Sequence, residues 1–177
     1  QRNSDTGALT KYFGSVAGED EFKLRGIEAR QRSTPRFIET IQRRCIEQLD
    51  RTRDPEDVLS ILREAIRQLH TGGVSTDQLI ERNRISKPLS EYTQYTQNVA
   101  ALERANELDL AVHPGEDIEY VVVDDEKSSR DRVELAHEVT ESYDPTYYET
   151  ELIRAVESVL SPLGWDQTDI RTALADT

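Results

Sequence analysis

The 177-residue sequence predicts an α+β fold, mostly α, with a small β-hairpin followed by a helical domain that carries a short β element. Three observations predict it. Apolar residues recur at helical spacing in three long stretches, each opening on a proline (Pro35, Pro55, Pro145). Ile118-Glu-Tyr-Val-Val-Val123 is a β-branched and aromatic run of strand length. Near the start, Phe22 and Leu24 alternate with Lys23 and Arg25, the period of a strand with one apolar and one basic face.

In order along the chain, residues 1–9 are small and polar and read as a flexible lead-in. Residues 10–32 hold two strands, Lys11–Val16 and Glu21–Glu28, joined by the turn Ala17-Gly-Glu-Asp20. A two-stranded hairpin is marginal alone and needs a sheet to join. Methionine is absent, even at position 1, and with the orphan hairpin this leads to the expectation of a piece excised from a longer protein. The helical domain is expected over 33–165, with a short helix or tail over 166–177.

Its first helix starts with Thr34 as N-cap and Pro35 in the first turn, and Phe37, Ile38, Ile41, Cys45, Ile46 and Leu49 form its stripe. Asp54-Pro55-Glu-Asp57 opens a second helix by the same chemistry, which Gly72-Gly73 ends. The tight Arg-Asp-Pro turn between them makes an antiparallel helical hairpin. Val74–Ile80 reads as a short helix or strand, followed by the basic Arg82-Asn-Arg84. A third helix is expected over 94–109, then the strand at 118–123, charged residues to Arg130, and a helix near 133–139. Pro145 starts a long helix that Ser161-Pro-Leu-Gly164 stops, and a last short helix covers 166–174.

Charge separates the function classes. The net charge is −13, from 35 acidic and 22 basic residues, which by itself opposes binding to a polyanion. The basic residues are 18 Arg and only four Lys. An acidic, lysine-poor surface suits concentrated salt, where the Debye length falls to about 3 Å, so the composition points to a halophilic source. The charge is also uneven. Residues 23–53 hold nine cations against four anions, net +5, whereas 103–177 hold six cations against 20 anions, net −14. A basic island in an acidic chain is the footprint of a surface that meets a polyanion, or of a solvated helix face with ordinary ion pairs.

Other chemistry is missing from the sequence. No run reaches the roughly 18 apolar residues of a membrane span, and no signal peptide is read at the start. The single Cys45 leaves no disulfide framework and no cysteine-based zinc site. No Gly-rich phosphate loop, HExxH, GxSxG or EF-hand pattern occurs. The histidines 70, 113 and 137 lie far apart without evident partners and read as surface or structural filler. Tyr143, Tyr147 and Tyr148, in acidic surroundings, read as packing residues rather than base-stacking ones.

The order of segments carries more than any one of them. A Tyr-Phe-Gly strand and Arg25-Gly-Ile-Glu28 lead into an Arg-rich helix start. Ile85-Ser-Lys-Pro-Leu-Ser-Glu-Tyr92, Asn98-Val-Ala-Ala101, Pro114-Gly-Glu-Asp-Ile-Glu-Tyr-Val-Val122 and Tyr143-Asp-Pro-Thr-Tyr-Tyr148 follow. At these intervals, over about residues 10–165, the chain resembles the C-terminal end of an archaeal family B DNA polymerase, here of haloarchaeal composition: the last palm hairpin and the thumb. The Ser-Lys-Pro-Leu-x-x-Tyr and Gly-x-x-Ile-x-Tyr-Val-Val pieces are the more specific.

The resemblance implies a thumb that grips the primer–template duplex behind the active site, through phosphates and minor groove, without reading sequence. By motif, Tyr12 matches the tyrosine of the Lys-x-Tyr element, Arg25 the cation before Gly-Ile-Glu, Arg32 the second arginine after it, and Lys87 the thumb lysine. Three positions depart from the pattern. Thr10 replaces the lysine two residues before Tyr12, with Lys11 beside it as substitute. The arginine pair is split as Arg30-Gln-Arg32, and Gln97-Asn98 replaces Pro-His. The DNA-binding candidates are therefore Lys11, Tyr12, Arg25, Arg30, Arg32 and Lys87, with no catalytic and no metal-ligating candidate.

The family's catalytic aspartates lie upstream of the matching segment, so magnesium is implied for the parent enzyme and no cofactor for this piece, which is expected to be inactive alone. The implied partners are primer–template duplex and the upstream palm domain of the parent chain, with no membrane, in the cytoplasm. A parent that has lost activity is one variant of this reading. The competing class is an acidic helical protein-interaction module without DNA binding.

Overall fold

The computed structural model describes residues 34–110, 112–127, 130–138 and 142–175. The predicted lead-in and hairpin therefore lie outside the described residues. What is described is five helices and a three-stranded antiparallel sheet of order β1-β2-β3, in keeping with the predicted α+β, mostly α class.

Helix α1, Arg36–Thr52, buries Phe37, Ile38, Ile41, Cys45, Ile46 and Leu49, the stripe read from the sequence. Its start is one residue later than predicted. Pro35 is the cap itself, with extended ψ of 148°, and its carbonyl accepts from Glu39 N–H at 3.0 Å. Arg53 then takes the left-handed conformation, φ 60°, and closes the turn with its N–H on Leu49 O at 2.8 Å. Asp54 caps α2, Pro55–His70, by accepting from Glu56 N–H at 3.0 Å, and Pro55 occupies the first turn. These two local signals fold the chain back, and α1 and α2 pack as the predicted hairpin.

Helix α4, Pro145–Leu160, lies against both and completes the helical layer. Asp144 caps it through Thr146 and Tyr147 N–H at 3.0 and 3.1 Å. Between α1 and α4 a buried amide interrupts the apolar contact. Gln42 Nε2 donates to Ala155 O at 2.7 Å, and its Oε1 is buried without a hydrogen-bond partner among the described residues. Gly164, at φ 86°, ends the Ser161–Leu163 turn, and α5, Gln167–Ala175, packs Ile170 onto α2 and α4.

The sheet holds two departures from the sequence reading. β1 is Glu81–Arg84, a strand where the residues were read only as basic. β3, Val133–Leu135, replaces the helix expected at 133–139. Between them runs β2, Asp117–Val122, as predicted. The β3 residues Val133 and Leu135 are buried on either side of half-buried Glu134, a two-residue period that three residues are too few to announce. Helix α3, Gln97–Glu107, shorter than its predicted 94–109 and capped by Thr96, packs on β2 and β3.

The registers Glu81↔Tyr120 and Arg84↔Asp117 pair β1 with β2. Two residues further along, where Leu79 and Val122 would meet, the ladder is continued by a side chain. Val122 N–H donates to Tyr148 Oη, which donates to Leu79 O, both at 2.9 Å. Tyr148 is fully buried, and the Tyr143, Tyr147 and Tyr148 rings pack edge to face. The packing role read for these tyrosines is the observed one. No helix among the described residues is long and apolar enough to cross a membrane.

Candidate nucleic-acid interface

Of the six DNA-binding candidates, Lys11, Tyr12, Arg25, Arg30 and Arg32 lie outside the described residues. Lys87 is described, and its position follows from the strand before it. Ile85, buried to 1% exposure, is the last anchored residue. Its N–H donates to Glu116 O at 2.8 Å, and its carbonyl accepts from Gly115 N–H at 2.7 Å. Gly115 can do this because the turn needs φ of 95°, open to glycine and strained for other residues.

Beyond Ile85 the chain leaves the sheet. Pro88, extended at φ −63°, directs it into the short turn Leu89–Glu91, which brings Tyr92 back under Lys87. The lysine Nζ stands 4.8 Å from the Tyr92 ring centroid, a cation–π contact that holds a long side chain without neutralising it. Among the described residues Lys87 has no carboxylate partner.

A second pair of the same kind follows. Arg132 stands 5.0 Å over the ring of Tyr95, which is 39% exposed. Arg132 Nε is held by Lys127 O at 2.9 Å, and Tyr95 Oη donates to Glu103 at 2.6 Å. Desolvation first, and then Glu103, push the Tyr95 hydroxyl up to about 12, so it remains a neutral donor. The polar segment 86–96 thus carries two tyrosines that each seat a cation, its own Lys87 and Arg132 from the turn before β3. Arg130, nearby, is instead tied to Glu107.

Several of the other basic residues are compensated. Arg82 and Arg84 on β1 face Asp117 and Glu119 across the strand, at 3.2 to 3.8 Å. On α1, Arg43 pairs with Glu39 at 4.0 Å and Arg53 with Asp50 at 3.8 Å. Arg44 and Arg51 line a groove of about 420 Å³ toward α2, in company with Glu47 and Asp57. In the described part of the basic island, Arg43 and Arg53 are thus held in ordinary ion pairs.

Sequence reasoning had also left His70 without a partner. Its Nε2 is 2.6 Å from Glu149 Oε1, a contact between α2 and α4 over 79 residues that no local pattern signals. The Arg132–Tyr95 pair was missed for the same reason. Asn98, at the position where the resemblance expects histidine, accepts from Tyr120 Oη at 2.8 Å, and Gln97 Nε2 bonds Asp125. Among the described residues no group of three or more His, Cys, Asp or Glu side chains is arranged to hold a metal ion. The described residues therefore offer no ligand set for magnesium. What the arrangement offers is binding of anions by partly freed cations.

Comparison with known proteins accounts for the motif order. The DNA polymerase of Thermococcus aggregans is 26% identical over 165 residues, an alignment covering 91% of this chain and 9% of that protein. The DNA polymerase of Thermococcus gorgonarius is also 26% identical over 165 residues, 91% of this chain and 21% of its relative. The chain thus spans about a fifth or less of these relatives. In fold it is similar to the family B DNA polymerase of the hyperthermophilic archaeon Pyrobaculum calidifontis, with a TM-score of 0.63 and 21% identity. That superposition covers 71% of this chain and 18% of the other. The family model described as DNA polymerase family B matches residues 9–163, and the chain belongs to that family.

Proposed function

We propose that this chain is the thumb portion, with the last palm hairpin, of a family B DNA-directed DNA polymerase, and that it grips primer–template duplex without reading sequence. The observation that carries the reading is Lys87, poised over Tyr92 with no carboxylate partner among the described residues. The cations just before it, Arg82 and Arg84, are met by Asp117 and Glu119, whereas Lys87 keeps its charge on a chain with 13 excess negative charges. Arg132 on Tyr95 extends the same surface. Such groups neutralise phosphates and supply affinity and register. Lys11, Tyr12, Arg25, Arg30 and Arg32 complete the grip in this reading. The parent's catalysis depends on carboxylates and magnesium outside these residues, so the piece alone extends no primer, and its other partner is the parent's palm domain. The acidic, lysine-poor composition supports a halophilic source, and the polymerase family supports a cytoplasmic setting.

The test is fluorescence anisotropy of a labelled primer–template duplex titrated with the 177-residue chain across a KCl series, beside a single strand. Duplex-preferring binding is expected, with a linear log–log salt dependence. Lys87→Ala should weaken all duplex sequences alike and reduce the salt slope by about one. A chain that circular dichroism shows to be folded, yet binds no duplex, refutes the reading. It favours instead the acidic helical interaction module, to which the net charge itself points.

A further inference from the structure

The least expected side chain in the described structure is Glu81. It opens β1 and is only 9% exposed. Tyr147 Oη donates to its Oε1 at 3.2 Å, while its Oε2 is buried without a hydrogen-bond partner among the described residues. Among the described residues, the elements packed against it turn neutral or acidic groups toward it. From α4 come Tyr147, Tyr148 and, one turn on, Glu151; from β2 comes Tyr120, its partner in register; from the turn after β2 comes Asp125. On its own strand Asn83 is occupied with Tyr120 Oη at 3.4 Å. No cation is among these neighbours.

A carboxylate is disfavoured there, since Tyr147 and Tyr148 are the donors that face it and Oε2 has no hydrogen-bond partner among the described residues. Removing an ionised oxygen from water without a donor is far more costly than burying the acid. We propose that Glu81 is a proton-operated latch, a neutral carboxylic acid that fastens β1 to α4 and, on losing its proton, releases β1 together with the Lys87-bearing segment that Ile85 leads into. Strand β1 is suited to such release. It is four residues long and, among the described residues, lies at the sheet edge with β2 as its one strand neighbour. Burial first, and then Glu151, push the carboxyl up to about 8 from an ordinary 4.5, which sets the release in mildly alkaline solution.

The sign follows from linkage. Between about pH 4.5 and 8 the latched state holds a proton that the opened state has given up. The opening equilibrium should therefore rise tenfold per pH unit across that window and level off above it. The proposal does not depend on DNA binding.

Amide hydrogen exchange of Glu81 to Ile85, corrected for intrinsic base catalysis and followed from about pH 6 to 9, reads the opening directly. In the unmodified chain the corrected opening constant should climb tenfold per unit up to about pH 8, while amides in the middle of α1 show no such local term. In Glu81→Gln, which keeps the shape and cannot ionise, it should stay flat. A pH-independent opening constant in the unmodified chain, or the same climb in Glu81→Gln, overturns the latch. Should the variant not fold, the Glu81 side-chain carbonyl carbon titrated by NMR in the unmodified chain decides. A midpoint well above 4.5 supports the latch, and an ordinary midpoint overturns it.

Discussion

Replacing Tyr148 by Phe removes one oxygen from the interior, and the structure says what that oxygen does. The Tyr148 hydroxyl takes the Val122 N–H and gives its own proton to Leu79 O, both at 2.9 Å, filling the place of a direct bond between β2 and the residue two before β1. The ring is fully buried, so water does not readily replace it. Phe keeps the ring volume, which leaves almost no cavity term. The loss is two hydrogen bonds worth about 1 kcal/mol each, with a further penalty because a backbone donor and a backbone acceptor remain buried and unpaired. The total comes to about 2–4 kcal/mol, a large share of the roughly 5–15 kcal/mol that holds a domain folded. Urea unfolding of Tyr148→Phe beside the unmodified chain, at one high salt concentration, measures it. For a domain of this size the melting temperature should fall by about 5–15 °C. A loss below about 0.5 kcal/mol refutes the argument. It means that Leu79 and Val122 close onto each other once the hydroxyl is gone, so that the tyrosine intrudes on the ladder rather than completing it.

Two further outcomes are expected. Arg104 grips Glu138 through Nε and Nη2, at 2.7 and 2.8 Å, and this hydrogen bonding, aided by the Leu135 N–H, holds the Glu138 carboxyl below its ordinary value despite partial burial. Its stabilisation is present above the unfolded carboxyl value and lost as pH falls through the lowered folded one. Arg104→Gln should therefore cost about 1–2 kcal/mol near pH 7 and much less near pH 3, checked by urea midpoints at the two pH values. Cys45 is fully buried, and burial pushes its thiol up to about 12. A disulfide reagent at pH 8 should leave it untouched in the native chain and label it completely in denaturant; rapid native labelling contradicts its placement in the α1 core.

The helices were legible because each carries its own instructions. Asp54-Pro55 and Asp144-Pro145 are caps with the proline in the first turn, and the apolar stripes that follow are the ones buried. β2 was legible from Ile118–Val123 alone. β1 was not, since Glu-Arg-Asn-Arg has no apolar alternation: its inward face is a buried acid and an asparagine, and its identity as a strand comes from pairing with residues 117–120. Tertiary context likewise decided β3. At the site, Lys87 and Tyr92 are five residues apart with a proline between, so their approach had a local cause. Arg132 on Tyr95 and His70 on Glu149 are brought together only by the fold. The basic Arg82 and Arg84 gave the opposite lesson. Counted along the sequence they are free charge, and across the strand they are met by Asp117 and Glu119.

Gln42 has a consequence for the uniqueness of the native state. The facing stripes of α1 and α4 are apolar over most of their length, so sliding one helix by a turn, about 5.4 Å, still apposes much apolar surface to apolar surface. Only one offset gives the Gln42 amide the Ala155 carbonyl. Every other alignment strands both its donor and its acceptor in hydrocarbon. The residue adds little to the depth of the native well, since its Oε1 has no hydrogen-bond partner among the described residues even there. Its effect is to raise the neighbouring wells, acting as a key that admits a single setting of two otherwise slippery surfaces.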